Sequence, residues 1–163
     1  MLIKEGDLVS IPATSKTYCV GQVAAIAETS FLIATFIPHF MVNGRLPKLE
    51  DIDFSSPVFL VETMDEYVES GRWKVLGGRM PLEFPIPAFK VQVGFDVDFY
   101  IQNFRGEIGR KASQAEVDRL RTHTSFSPSL VEDAIRAERQ LGEWNKIYDI
   151  MWADPAQAIE YIF

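Results

Sequence analysis

The sequence predicts an α+β protein: a β-rich body over residues 1–111, either SH3-like or a partly open antiparallel barrel, and a packed helical tail over 112–163, within a single domain. Three observations predict it. Short apolar runs separated by turn residues crowd the first 37 positions, a strict two-residue alternation runs from Phe89 to Ile101, and the period becomes helical after about residue 112.

Residues 7–13 and 17–26 form a hairpin around Thr14-Ser15-Lys16, and 30–37 is a third, almost continuously apolar strand that ends at Pro38. Pro38 to Pro57, with Asn43-Gly44 and Pro47, has no period and is a long loop. Residues 57–62 give a fourth strand. Thr63 with Glu66 has the spacing of a capping box, which predicts a two-turn helix ending at Gly71. Residues 73–76 form a brief strand, and three prolines between Pro81 and Pro87 make an extended connector.

In the alternating stretch Phe89, Val91, Val93, Phe95, Val97, Phe99 and Ile101 share one parity, so one face is expected to be buried in a long bent strand or in two strands that break near Gly94. Phe104 falls on the other parity and predicts a turn over 103–106. Ser113 with Glu116 caps a helix through Arg121, and Ser127-Pro128 opens a longer one with Leu130, Val131, Ala134, Ile135 and Leu141 on one face and Gly142 at its end. Asp154-Pro155 repeats the device for a last short helix.

At 163 residues and 47% hydrophobic content the chain can bury one core. No eighteen-residue apolar run is present to cross a membrane, and Met1-Leu2-Ile3-Lys4-Glu5 lacks a secretory layout, so the expected location is the cytoplasm. The net charge of −7 argues against nucleic acid, whose phosphates need a basic face. Residues 49–71 hold seven acids (Glu50, Asp51, Asp53, Glu62, Asp65, Glu66, Glu69) and no Lys or Arg, so this window carries the whole net charge. Such a surface steers basic partners toward it, and these seven residues are the candidate partner-binding positions.

Catalytic chemistry finds little support. Cys19 lies in an apolar run and reads as a small buried side chain. His39 and His123 are not at metal-ligand spacing with another His or Cys, and no Gly-x-Ser-x-Gly or phosphate-binding Gly-rich loop is present. Glu50-Asp51-Ile52-Asp53 offers alternate carboxylates to a hard cation, but without the spacing of a calcium loop it reads as solvated charge. No metal and no cofactor are expected. Trp73 reads as core, while Trp144 and Trp152 are expected to staple the tail to the sheet.

Three segments, Gly6-Asp7-Leu8-Val9-Ser10-Ile11-Pro12, Tyr18-Cys19-Val20-Gly21-Gln22-Val23 and Gly71-Arg72-Trp73-Lys74-Val75-Leu76-Gly77 with Pro81-Leu82 downstream, together resemble the immunity protein 26 family of bacterial polymorphic toxin systems over roughly residues 5–95. The resemblance implies a mostly β, non-enzymatic cytoplasmic protein that binds a cognate toxin domain stoichiometrically and occludes it. A basic toxin would suit the acidic window. Two other readings stay open from the residues: a β-barrel module for a peptide, ligand or regulatory partner, and a hydrolase with a site assembled across the fold.

Overall fold

The computed structural model describes residues 2–41, 49–78, 83–95 and 97–163, apart from the side chains of 37–41 and 49. The Asn43-Gly44 and Pro47 turns, Pro81-Leu82 and the side chain of His39 fall outside these described residues. The architecture is α+β. In chain order the strands are β1 Leu8–Pro12, β2 Thr17–Ile26, β3 Phe31–Met41, β4 Phe59–Thr63, β5 Lys74–Gly77, β6 Phe89–Gln92, β7 Phe99–Gln102, β8 Ile108–Lys111 and β9 Ser125–Phe126; the α-helices are α1 Glu66–Glu69, α2 Gln114–Arg119 and α3 Pro128–Glu138.

The chain forms two compact units, Met1–Phe84 with Ser125–Ala153 and Pro85–Thr124 with Asp154–Phe163. Their borders differ from a body and tail divided at residue 111: α3 joins the first unit, and β6, β7, β8 and α2 the second.

In the first unit the sheet order is β5-β1-β2-β3-β4-β9, antiparallel except for the two-residue β4–β9 pair. Its end strands β5 and β9 are not paired with each other among the described residues, so it is not a fully closed barrel. The β1–β2 turn is set by Thr14, whose Oγ1 accepts the N–H groups of Lys16 and Thr17 at 3.1 and 3.0 Å. Gly21, in the middle of β2, leaves room for its neighbours, since a Cβ there would lie 2.6 Å from Ile33 Cδ1. The third strand was expected to stop at Pro38, yet β3 continues to Met41. The ladder skips register between Tyr18 and Val20, and this irregularity accommodates a residue that has no N–H to donate.

The outer side of β4 is covered by two short segments. β9 runs parallel to Glu62–Thr63, and the chain returns after α3 so that Leu60 N–H donates to Met151 O and Ala153 N–H to Val58 O, both at 2.9 Å. Between these segments α3 lays Val131, Ala134 and Ile135 against the core of Val9, Ile11, Val23, Phe31, Ile33, Phe59, Val61 and Trp73. Ser127 caps α3 through the N–H of Leu130, with Pro128 in the first turn as expected. The helix stops earlier than predicted: Gln140 adopts φ 59°, and Leu141 is exposed instead of facing the core.

The Thr63/Glu66 capping box does not form. Thr63 is fully buried and its hydroxyl donates to Phe126 O at 2.8 Å, so the tertiary partner takes the group that the local motif would have used. The helix α1 is consequently a single turn that starts after Asp65.

In the second unit β6-β7-β8 form a meander over Ile101, Ala88, Ala112 and Leu120, with Ile159 and Ile162 packed against them. The alternating stretch breaks at Gly94, which has φ 63°; of the apolar parity Ile101 is buried, and Phe89, Val91 and Phe99 in the strands are half-buried. Val93, Phe95 and Val97 sit on the exposed connection. Here the Ser113/Glu116 capping box is made in both directions. Hydrogen bonds from the Arg110 guanidinium, then from Ser113, hold the Glu116 carboxyl down at about 2. The expected last helix is only a short 3₁₀ turn, Pro155–Gln157; Gln157 is buried and clasps Arg119 O, Arg121 N–H and Ala88 N–H. A Cβ at Gly109 would collide with the backbone of Ile162, so glycine is what lets this final segment lie against β8.

Candidate partner-binding site

The acidic window divides into two groups along the β3–β4 pair. Glu50 and Asp51 lie in a 3₁₀ turn, Leu49–Asp51, and Asp53 in the loop that follows. Buried Ile52 and the Phe54 ring, 5.0 Å from the ring of Phe36, anchor this loop and leave all three carboxylates exposed. Ser55 donates to Asp53 Oδ1 through its hydroxyl at 2.6 Å and its N–H at 3.0 Å, and these bonds hold the Asp53 carboxyl below the usual carboxylate range.

At the other end, Glu62 is a half-buried β4 residue that accepts from Ser30 Oγ at 2.6 Å. Asp65 is half-buried before α1, and Glu66 and Glu69 are exposed on it, with Val68 buried beneath. Thr63 pairs with Phe31, so the two groups are separated along β3 by the five steps from Phe31 to Phe36, about 16 Å at strand spacing. Asp51, Asp53, Asp65, Glu66 and Glu69 form no ion pair among the described residues. Nor do three or more His, Cys, Asp or Glu of the described residues gather in a way that could hold a metal ion.

Cys19 lies where the sequence placed it, in the core. Its Sγ donates to Phe36 O at 3.2 Å beside a small crevice lined by Thr35, Phe36, Val58, Phe59, Ile135 and Glu138. Burial pushes the thiol up to about 12 from an ordinary 9.0. Because the folded state favours the neutral thiol, this contribution is intact below pH 9 and is lost as the pH rises from 9 toward 12. The expected result is no labelling of native protein by a disulfide reagent at about pH 8, and a loss of about 2 kcal/mol at about pH 10.5 relative to Cys19→Ala. Rapid native-state labelling would contradict it.

His123 is held by packing: its ring stacks on Phe89 at 4.3 Å and 11°, with Phe104 at 6.1 Å and Nδ1 3.3 Å from Gln102 Oε1.

Two features were missed from sequence. Glu132 is 1% exposed on the inner face of α3, where Arg72 Nε and Nη2 donate to its two oxygens at 2.8 and 2.6 Å and the indole N–H of buried Trp73 donates to Oε1 at 3.0 Å. The Arg72 guanidinium also lies 5.0 Å from the Tyr67 ring centroid. Thus the Gly71–Gly77 segment contributes an arginine and an indole that tie α3 to the sheet. A carboxylate among Val131, Ala134 and Ile135 was the available signal.

The second feature is the aromatic surface after α3. The Trp144 and Trp152 rings stack at 5.3 Å and 19°, and Trp152 also packs on Phe59 at 4.8 Å, so the expected staple to the sheet is made. Yet Trp144, Trp152, Ile147 and Ile150 each keep about two fifths of their surface in solvent (41, 38, 42 and 40%).

No protein-family model matches the chain, and no curated protein or solved structure is significantly similar to it.

Proposed function

We propose that this protein is a non-enzymatic immunity protein that binds a basic toxin domain one-to-one in the cytoplasm and blocks its working surface. The observation that carries this reading is the disposition of the acidic window. The segment that supplies the whole net charge is fixed to the sheet by Ile52, Phe54 and Val68, while Glu50, Asp51, Asp53, Glu66 and Glu69 face solvent. Fixed, exposed charge of one sign attracts an oppositely charged partner without a large ordering cost on binding. The segments in which the sequence resembles the immunity protein 26 family fall in β1, β2 and the Arg72–Trp73 clasp.

The test is co-expression with the protein encoded beside this one. The neighbour's C-terminal domain should arrest growth when expressed alone, and this chain should restore growth and co-purify with it at equal stoichiometry. A harmless neighbour, or arrest that this chain does not relieve, would overturn the reading.

A further inference from the structure

We infer that the half-exposed stack of Trp144 and Trp152, together with Ile147 and Ile150, is the anchor of the partner interface and receives arginine side chains of a basic protein. The inference rests on the binding reading above and assigns it a contact surface that the acidic window alone does not give.

Four large side chains close in sequence keep about two fifths of their area in water, although Tyr148 and Met151 between them are buried in the core. The near-parallel indoles stack on each other and are held in place by Phe59 against Trp152 and by Tyr148, whose ring lies nearly perpendicular to that of Trp144 at 5.4 Å, while part of each indole stays in solvent. The Trp144 indole N–H donates to Asp149 Oδ1 at 2.9 Å, which fixes the ring and places a carboxylate at its rim. A rigid, partly exposed aromatic surface costs little entropy to use, and tryptophan dominates binding hot spots.

The charge around this surface selects the occupant. Glu143 and Asp149 lie in the same segment against one Lys146. Phe59, which carries Trp152, pairs with Thr35, whereas the Glu50–Asp53 loop is anchored on Phe36, the next residue; the acidic loop and the indoles therefore lie near one end of the sheet but on opposite faces, and the occupant of the indoles is selected by Glu143 and Asp149. Carboxylates and indole faces both attract a planar guanidinium, the first by charge and the second by the ring quadrupole. An acidic or purely apolar partner would leave these carboxylates uncompensated.

The test uses the full ¹⁵N-labelled chain and a nine-residue oligoarginine peptide at low ionic strength, followed by NMR. The indole N–H signals of Trp144 and Trp152 should shift saturably, and that of fully buried Trp73 should stay in place as an internal control. Trp144→Ala should weaken binding roughly 2- to 30-fold while Trp144→Phe retains most of it; a circular dichroism spectrum checks that both variants fold. If the peptide shifts only amides of the acidic segments and Trp144→Ala binds as the wild type does, the aromatic anchor is wrong while acid-steered capture stands. If no signal moves, the cation-binding surface is overturned with it, and growth rescue by the wild-type chain then decides the immunity reading separately.

Discussion

Arg72→Ala should remove about 3 kcal/mol from the stability of the unit that contains the six-stranded sheet. Glu132 is buried, and Arg72 supplies two of the three hydrogen bonds to its carboxylate; without them the charge keeps the Trp73 indole and Arg136, whose Nη1 lies 3.8 Å away. Breaking one side of a buried pair costs about 3–5 kcal/mol, and the lower end applies because half of the Arg72 side chain is in water. Arg72→Lys should recover part of the loss, since an ammonium reaches one oxygen but does not form the two-pronged contact. Urea unfolding read by tryptophan fluorescence measures the change, and a loss below about 1 kcal/mol would show that the clasp does not hold α3 to the sheet.

What could be read in the sequence was the part governed by local patterning. The β1–β2 hairpin, the buried Cys19 and Trp73, the Ser113/Glu116 box and the Ser127-Pro128 helix start are set by residues within a few positions of each other. The misreadings share another cause: a distant partner claimed the group. Phe126 took the hydroxyl of Thr63 from its capping box, and a register irregularity carried β3 past Pro38. The break at Gly94 was one of the two arrangements left open for the alternating stretch; what its pattern overstated was burial, because Val93, Phe95 and Val97 are exposed. In the candidate site, the acidic composition was plain in the sequence, but its division into two groups depends on Phe54 packing on Phe36 while Glu62 to Glu69 follow β4 to the other end of the sheet. The packing of Trp152 on Phe59 links segments more than 90 residues apart, and no local period encodes it.

Reversing Glu50, Asp51 and Asp53 to lysine should leave the fold intact, because all three are exposed and Ile52 and Phe54 keep the loop in place. The effect belongs to the encounter. Replacing three attractive charges by three repulsive ones changes the field that a basic partner meets, and steered association rates respond by roughly 10- to 100-fold at low ionic strength. Dissociation should change far less if the indoles carry the anchoring contacts.

The decisive measurement is the association rate between this chain and the C-terminal domain of the protein encoded beside it, the partner under the proposed function, for wild type and the triple lysine variant, across a salt series. A variant that associates at least about 10-fold more slowly at low salt, with the gap closing at about 0.5 M salt, is the predicted result. Equal rates at low ionic strength would contradict capture through this acidic surface.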